Sequence, residues 1–546
     1  MRKKIHINHL GYMLGMPKTA VCITNAKLFY LINSDKGESV YAGRLSHESF
    51  DRESGDTVRI ADFTDFNTPG RYYIRAGFRR SEIFEISEQP YRSLRRTVLD
   101  GIYLNRCGFD YNSSPESAAR AGSFARSACH NEPFEHNGKE LDLSGGWHTD
   151  SGYGRYVIPA CTAAASMLYA IRLFGSSFTN ADIGLITDEC RWGLDWLMKM
   201  QDSSGGVYEC IYSGTSGIMS SPDDDFSSYF LGAKTCRAAL VFTAVTALAS
   251  KCFAGKDDAY SAKLRRAAEN SWIWAAQSEE YKHFIGKKGG TDPENGTAAP
   301  ESEFMWAVCG MYSLTGDEFF SGIINRKYIT SGFTGFGESE FGGFAALEYL
   351  LGDRKRERDT EAVIRKRITD RADRLWIADR GSGYSTARSA DSGFEYGSNF
   401  HILSDCMTFI LAYLLSGSQN YLMGATDQFS YIFGRNPLGI SFMTGTSGDC
   451  CKSPCHSLSA STESGAAVPG MIVSGANISR SDDYSRWHIE SGCPPAKCYI
   501  DSPFSTSTNV PSIHFSAPVI FISAFYDKVG RSALSGLSSK QTSQPN

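Results

Sequence analysis

The sequence predicts a helical domain of the all-α class that follows a small β-sandwich at the N-terminus. Up to about residue 88 the apolar residues fall in short β-rich runs between turn residues, and from Tyr91 onward they repeat at helical spacing. Pro90 marks the change between the two patterns. We therefore expect a β-sandwich domain over residues 1–88, a helical domain over 89–535 and a polar tail over 536–546.

Five short runs in the first part predict strands. They lie at residues 20–23, 28–32, 57–60, 71–76 and 82–86. Gly, Pro, Asn and Asp residues separate them, which is the pattern of a small sandwich of antiparallel strands.

Eleven longer segments predict helices. They lie at residues 91–103, 156–174, 183–200, 233–249, 259–277, 301–314, 341–351, 360–375, 399–415, 421–433 and 516–526. Because we expect no strands between them, a parallel sheet is excluded and a closed ring of helix pairs is favoured. Gly-rich stretches at 203–227, 285–300, 378–398 and 443–510 are expected to form long loops at the mouth of the ring, where function usually lies.

Charge and composition limit which binding partners and which cellular compartment we expect for this protein. The net charge of −5 and the pI near 6.2 give no basic excess, so we expect neither nucleic acid nor a membrane as partner. The basic N-terminus has no apolar run behind it, and we expect no stretch of the ~20 apolar residues that span a bilayer. The fifteen cysteines are an odd number, and several stand singly in apolar runs, which favours reduced thiols in a cytoplasmic protein.

Several motifs together resemble family nine of the glycoside hydrolases, which includes the cellulases. They are GGWH at 145–148, YGRYV at 153–157, FGRNPLG at 433–439, VPG at 468–470, YID at 499–501, STN at 507–509 and AP at 517–518. Residues 4–87 resemble the immunoglobulin-like domain that precedes the catalytic domain in many of these enzymes. The resemblance implies an (α/α)6 barrel with an open cleft for β-linked glucan or related oligosaccharides.

The resemblance also shows that the catalytic positions differ from the family pattern. Inverting glycosidases use one carboxyl group as acid and a second to activate water. The two aspartates that the family places after GGWH are Thr149 and Gly152 here, and the proton-donating glutamate is Val510. Asp150 is the candidate base if the loop backbone is shifted; alternatively it is a loop carboxylate bonded to nearby backbone. Asp501 is expected to be a structural hydrogen-bonding group.

The sugar-binding loop is changed as well. The family's Pro-His-His-Arg corresponds to residues 454–457, which keep His456 and lose the arginine. His456 is therefore a candidate ligand contact. Aromatic residues in the predicted mouth loops are candidates for stacking on sugar faces or for packing, namely Trp147, Tyr153, Phe394, Tyr396 and Trp487.

Two thiols and two imidazoles form a candidate metal site. Cys107, Cys129, His130 and His148 have the ligand chemistry of tetrahedral zinc, although their long spacing alone is equally compatible with four unconnected residues. Some family members with this N-terminal domain hold structural zinc with the same residue set, so the resemblance implies a zinc site that braces the loop carrying Asp150.

Other candidate ligands have less specific patterns. Cys450, Cys451, Cys455, Cys493 and Cys498 cluster in two predicted cleft loops. Four interpretations of these cysteines are open: free thiols without a role, a second metal site, a redox pair, or thiols that contact a ligand. The acidic triplet at residues 223–225 is a candidate calcium site or a solvated surface feature.

Two functions follow from these observations. The first is a glycoside hydrolase that acts on β-linked gluco-oligosaccharides by a modified mechanism, because the scaffold motifs are intact. The second is a catalytically inactive homologue that binds a saccharide or a protein partner, because both bases, the acid and the cleft arginine are replaced. A different reaction that uses the cleft cysteines is the third and weaker alternative.

Overall fold

The structure is a computed structural model. It describes residues 4–136, 138–149, 152–214, 220–279, 301–327, 335–337, 340–388, 393–446, 448–462 and 465–541, with side chains described up to residue 531. The chain forms two compact units. The first comprises Met1–Gly101, Phe174–Thr179 and Ala372–Asn546, and the second comprises Ile102–Leu173 and Asn180–Arg371.

The first unit begins with a β-sandwich, as predicted. Its strands are β1 (Ile5–His6), β2 (Tyr12–Met13), β3 (Thr19–Cys22), β4 (Leu28–Asn33), β5 (Ser39–Arg44), β6 (Ser49–Asp51), β7 (Asp56–Asp62), β8 (Gly70–Ala76), β9 (Arg79–Arg80) and β10 (Phe84–Ser87). One sheet has the order β1-β3-β7-β6, and the other has the order β2-β10-β8-β4-β5 with β9 paired to β8. Only β2 and β10 pair in parallel among the described strands of the sandwich.

Buried and exposed side chains alternate along the strands, and the buried ones form the core of the sandwich. In β8, Tyr72, Ile74 and Ala76 are buried, while the residues between them are partly or fully exposed. Phe29 and Leu31 of β4 are fully buried in the same core. A period of two in the sequence therefore becomes one buried and one solvated face.

Helices dominate the rest of the chain. They are α1 (Arg92–Leu104), α2 (Pro115–Ala121), α3 (Val157–Phe174), α4 (Asn180–Lys199), α5 (Cys236–Phe253), α6 (Asp258–Gln277), α7 (Glu301–Thr315), α8 (Glu318–Lys327), α9 (Gly342–Leu350), α10 (Arg358–Gly381), α11 (Ser398–Ser416), α12 (Gln419–Ile432), α13 (Ser457–Ala460), α14 (Asp483–His488), α15 (Ile513–Ser516) and α16 (Pro518–Gln541). Each of the eleven predicted helices is present, with ends shifted by a few residues or, for the last, extended. Since α16 continues to Gln541, the first residues of the predicted polar tail are helical.

Helix pairs pack within each unit. In the first unit α11 packs against α12 and α16, and in the second α5 packs against α6 and α7 while α7 also contacts α8 and α9. The hydroxyl of Thr235 accepts the N–H of Ala238 and begins α5, and Gly417 ends α11 in the left-handed region with φ of 71°.

Three helices correct the expectation that no stretch has the length and apolarity of a membrane span. By length and composition alone, Val157–Ser177, Cys236–Phe253 and Ser398–Ser416 qualify. Between 78% and 83% of each apolar window is buried inside the protein. Their apolar character therefore matches that of interior helices, which are hydrophobic on most sides because neighbouring helices surround them.

Short strands between the helices are a second correction, because we expected none. β11 (Phe134–His136) pairs with β12 (Lys139–Leu141), and β13 (Arg155–Tyr156), β14 (Cys210–Ser213) and β15 (Tyr229–Leu231) form a three-stranded sheet. These strands are two to four residues long, too short to show a period in the sequence. Of the predicted long loops, the one at 285–300 lies outside the described residues.

Candidate functional site

The four predicted metal ligands lie together in the second unit. One ligand atom from each of Cys107, Cys129, His130 and His148 lies within 4.8 Å of every other. The Sγ of Cys107 is 3.7 Å from Nδ1 of His130, and the Sγ of Cys129 is 3.8 Å from Nε2 of His148. Zinc bonds of about 2.0–2.3 Å in a tetrahedron separate their ligands by roughly 3.3–3.8 Å, so these pairs have the spacing of a four-ligand site.

Backbone hydrogen bonds fix the positions of two of these four residues, Cys107 and His148. The N–H of Cys107 donates to the carbonyl of Gly146 at 2.9 Å, and the N–H of His148 donates to the carbonyl of Asn105 at 2.8 Å. The segment after α1 and the GGWH loop are therefore held side by side. His130 has a positive φ of 51°, a conformation that is uncommon for a residue other than glycine.

The protonation states suit a cation with nitrogen and sulfur ligands. Burial lowers the pKa of His148 to about 4, so its imidazole is neutral at pH 7 and carries a free lone pair. A hydrogen bond from Cys107, together with the two histidines, holds the pKa of Cys129 far below its ordinary value although burial opposes this. Burial and the bond to Cys129 raise the pKa of Cys107. One thiolate is thus already stabilised, and a metal ion would stabilise the second.

Trp147 is a core residue of the second unit, which corrects its prediction as a sugar contact. Its side chain is fully buried, and its indole N–H donates to Oε1 of Glu189 at 2.8 Å. Glu189 also forms an ion pair with Arg106 at 2.9 Å. A Cβ on Gly193 would lie 2.0 Å from the indole ring, so this glycine makes room for it. The buried ring has no face to offer a sugar.

Tyr153 is a packing residue as well. It is 3% exposed, and its hydroxyl donates to the carbonyl of Ser220. Its ring centroid lies 4.8 Å from that of His148 and 5.7 Å from that of His130. The predicted sugar contact is therefore corrected to a residue that covers the two candidate metal-binding histidines.

The positions that the resemblance assigns to the family's bases contain no carboxylate that the structure describes. Thr149 is buried, and its N–H and hydroxyl both donate to the carbonyl of Gly154, at 3.0 and 3.3 Å. Gly152 has no side chain. Asp150, the candidate base, lies outside the described residues, as does Ser151.

The position that the resemblance assigns to the family's acid is apolar. Val510, in the first unit, is 5% exposed, and its carbonyl accepts the N–H of Ser474 at 2.8 Å. The neighbouring Asn509 is fully buried, and its side-chain amide donates to the carbonyl of Ser453 at 2.7 Å and accepts the hydroxyl of Tyr499 at 2.6 Å. The segment keeps a fixed backbone without a proton donor at Val510.

Asp501 and His514 both have bonded neighbours near this segment. The carboxylate of Asp501 accepts the N–H groups of Lys452 and Ser453 at 2.8 and 2.9 Å, as expected of a structural acceptor. Nδ1 of His514 lies 2.6 Å from the hydroxyl of Ser512. Asp501 therefore supports the loop backbone, and His514 contacts a neighbouring side chain.

The remaining predicted sugar contacts differ in exposure. His456 is 1% exposed with Nδ1 at 2.9 Å from the hydroxyl of Ser459, so its prediction as a ligand contact is corrected to a buried loop residue. Phe394 is buried too. Tyr396 and Trp487 are 46% and 80% exposed, and their rings are accessible for stacking.

The cysteines of residues 450–498 belong to the first unit, and burial favours the protonated thiol at two of them. The Sγ of Cys451 donates to Asp501 at 3.2 Å, and burial raises its pKa well above the usual value. Burial and the neighbouring Cys493 raise the pKa of Cys498 to about 12. Protonated thiols are poor nucleophiles, which favours the interpretation without a chemical role.

The three side chains of the acidic triplet at residues 223–225 have different environments: two face solvent, and the third contacts the candidate metal cluster. Asp223 and Asp224 are exposed, whereas the side chain of Asp225 is 3% exposed with Oδ2 at 3.3 Å from Nε2 of His130. Burial opposes ionisation of Asp225, but hydrogen bonds from Ser227 and Tyr229 hold its pKa below the ordinary value. Sequence reasoning offered the triplet as a candidate calcium site or a solvated surface feature and did not connect Asp225 with His130. Calcium at this triplet stays a prediction.

The fold and the sequence motifs together indicate a class of carbohydrate-active protein. The fold is a β-sandwich followed by a helical domain, and the motifs lie at residues 145–157 and 433–510. Residues 91–523 match the model of glycosyl hydrolase family 9, and residues 1–81 match that of the cellulase N-terminal ig-like domain. The chain belongs to glycosyl hydrolase family 9. Its fold is accordingly an immunoglobulin-like β-sandwich followed by an (α/α)6 barrel, as the resemblance implied.

Relatives and solved structures cover nearly the whole chain. A cellodextrinase of Butyrivibrio fibrisolvens is 27% identical over 95% of this chain and 98% of its own length. Endoglucanase D of Acetivibrio thermocellus is 26% identical over 95% of this chain and 82% of its own length. A metagenome-derived family 9 endoglucanase superposes with a TM-score of 0.83 at 27% identity, covering 96% and 99% of the two chains. A zinc-binding triple mutant of the family 9 endoglucanase J30 gives 0.82 at 26% identity, covering 94% and 99%.

Proposed function

We propose that this chain binds β-linked gluco-oligosaccharides and that the ordinary inverting hydrolysis of its family does not operate in it. The observation that carries the proposal is the burial of the aliphatic Val510, at the position that the resemblance assigns to the family's acid. General acid catalysis contributes roughly 10²–10⁴-fold, and a valine supplies no proton. At the base side, Thr149 carries a hydroxyl that is bonded to Gly154 and is not acidic enough to ionise.

Neighbouring titratable groups offer no simple replacement for the acid. Asp501 accepts two backbone N–H groups and a thiol, so both of its carboxylate oxygens are engaged in contacts within the loop. A general acid has to present a proton to the leaving group, whereas these contacts give Asp501 a structural role.

The relatives support the class of ligand. They include a cellodextrinase and endoglucanases, and one superposed structure is that of AaCel9A in complex with cellobiose-like isofagomine, with a TM-score of 0.85 and 25% identity. The exposed ring of Tyr396 is the contact that we assign to a sugar face in this chain.

Binding and turnover of cellotetraose by the full chain test the proposal together. We expect calorimetry to detect binding and chromatography to detect no released glucose, cellobiose or cellotriose. The triple substitution Thr149→Asp, Gly152→Asp and Val510→Glu restores the family's carboxyl groups and should introduce hydrolysis. Turnover by the unsubstituted chain would overturn the proposal, and so would the absence of binding to cello- and xyloglucan oligosaccharides.

Hydrolysis by a modified mechanism is the second candidate, favoured by the end-to-end match with a cellodextrinase. Asp150 would then activate water from a shifted loop. An aryl cellobioside with a good leaving group needs little acid assistance, so it isolates the contribution of the base. Release of the aryl group that disappears in Asp150→Asn but not in Asp142→Asn would establish this mechanism, whereas equal rates in both variants would remove it.

We further propose that Cys107, Cys129, His130 and His148 hold zinc in a structural role. Four protein ligands leave no open position for water or substrate, which distinguishes a structural site from a catalytic one. When bound, the ion would cross-link the segment after α1, the loop of residues 129–130 and the GGWH loop.

A cytoplasmic location is part of the same proposal. All fifteen cysteines lie in the described part of the chain, where none is joined in a disulfide, and eleven of them are buried. Buried cysteines outside disulfides are typical of reducing compartments. Fractionation of the source cells with an antibody against the chain tests this, and recovery from the medium would contradict it.

A further inference from the structure

The two histidines of the candidate zinc site differ in what their second nitrogen contacts. Nε2 of His130 lies 3.3 Å from Oδ2 of Asp225, which leaves Nδ1 as the nitrogen that faces Cys107 at 3.7 Å. For His148 the situation is reversed: Nε2 faces Cys129, and the buried Nδ1 has no hydrogen-bond partner among the described residues.

Asp225 is itself held in a fixed orientation. Its Oδ1 accepts the N–H and the hydroxyl of Ser227 at 2.9 and 2.5 Å, and its Oδ2 accepts the hydroxyl of Tyr229 at 2.6 Å. The ring of Tyr229 also lies edge-on against His130, with centroids 4.9 Å apart. Both oxygens of a nearly buried carboxylate are therefore occupied, and one of them is shared with His130.

The backbone of His130 supports the same interpretation. Its φ of 51° is one of three positive values among the described non-glycine residues. Such a conformation is unfavourable for a residue other than glycine and persists where surrounding contacts impose it. Here it places the imidazole between Cys107 and Asp225.

From this geometry we infer that Asp225 is the positioning carboxylate of the zinc site. It holds the proton of His130 on Nε2, directs the lone pair of Nδ1 to the ion and increases the basicity of that nitrogen. The inference rests on the proposed zinc. It also means that the ion and the segment from Asp225 to β15 stabilise each other, because Ser227 and Tyr229 orient the same carboxylate.

Zinc affinity of the full chain, measured by competition with a chromophoric chelator at constant pH, tests this role. We expect Asp225→Ala to bind zinc 10- to 100-fold more weakly, which is the usual loss for such a partner. Asp225→Asn should lose less, because its amide oxygen can still accept from Nε2. Asp224→Asn is the matched control, an exposed neighbour whose substitution should leave the affinity unchanged.

A second substitution and a spectrum keep the test decisive if Asp225→Ala does not fold. Tyr229→Phe removes only the hydroxyl that orients Oδ2 and should weaken zinc binding by a smaller factor. Cobalt(II) in place of zinc should give the intense visible bands of a tetrahedral thiolate site in the unsubstituted chain, with altered band positions in Asp225→Asn.

The possible failures are distinguishable. If the unsubstituted chain binds no zinc in a one-to-one ratio, the zinc proposal fails and the role of Asp225 with it. A different result would overturn only the role of Asp225. In that case the unsubstituted chain binds zinc, and the variants Asp225→Asn, Asp225→Ala and Tyr229→Phe bind it equally tightly.

Discussion

Nη2 of Arg435 lies 2.8 Å from Oδ1 of Asp427, and neither side chain is more than 1% exposed. The same guanidinium donates to the hydroxyl of Thr19 at 3.1 Å. Thr19 belongs to β3 and Asp427 to α12, so Arg435 joins the sandwich to a helix of the same compact unit. The arginine of the GRNPLG motif is therefore a structural anchor in this chain.

Replacing Arg435 by methionine should destabilise the first unit. The substitution leaves Asp427 buried with one fewer counter-charge, although Arg380 also contacts this carboxylate. Breaking a buried pair costs about 3–5 kcal/mol, and we expect the lower end because Arg380 remains. Urea unfolding measures the change. The matched control is Arg486→Met, whose ion pair with Asp483 is exposed and should contribute less than about 1 kcal/mol. Equal losses in the two variants would contradict the anchor role.

The buried amine of Lys18 should make the free energy of unfolding increase with pH above about pH 8. Its side chain is fully buried, and Nζ donates to Met16 and Asn67 at 2.9 Å each. Burial lowers the pKa of Lys18 from 10.5 to about 8, against the attraction of Asp62 and Asp65. Between about pH 8 and 10.5 the unfolded chain keeps a proton that the folded chain has lost, so the free energy of unfolding rises with pH.

The variant Lys18→Met isolates this effect. The difference in unfolding free energy, native chain minus variant, should increase between about pH 8 and 10.5 by at most about 3 kcal/mol. Lys27→Met, at an exposed position, should show no such slope. A flat difference for Lys18→Met would show that its amine titrates alike in both states.

The sequence predicted the helices and the metal cluster, but not the burial of the loop residues. Long helices repeat their apolar face many times, so eleven were identified from spacing alone, whereas α8 has only ten residues and β14 has four. The four candidate metal ligands were grouped from the chemistry of thiols and imidazoles together with the family resemblance, because their long spacing alone is equally compatible with four unconnected residues. The burial of Trp147 depends on Gly193, 46 positions later, and no local pattern reports such a contact.

Substitutions of Trp147 and Tyr396 should have opposite effects: the first should lower stability, and the second should weaken sugar binding. Trp147→Phe removes a buried hydrogen bond to Glu189 and part of a packed ring, which should lower the unfolding free energy by about 1–3 kcal/mol and leave the affinity for cellotetraose unchanged. Tyr396→Ala alters a half-exposed ring and should weaken binding roughly two- to tenfold with little effect on stability. Calorimetry and urea unfolding measure both quantities. The assignment fails if the effects of the two substitutions are exchanged.

Removal of zinc should destabilise the second unit without changing the first. The ion would join Cys107 and His148 across 41 positions of chain, and dialysis against a strong chelator would break that cross-link. We expect the midpoint of thermal unfolding to fall after chelation and to recover when zinc is added back. Cys129→Ser should bind no zinc and should unfold at the same temperature with or without chelator. Cys161→Ser, which changes a buried thiol of α3 outside the cluster, should still respond to chelation. A chelator effect that persists in Cys129→Ser would place the responsible metal elsewhere in the chain.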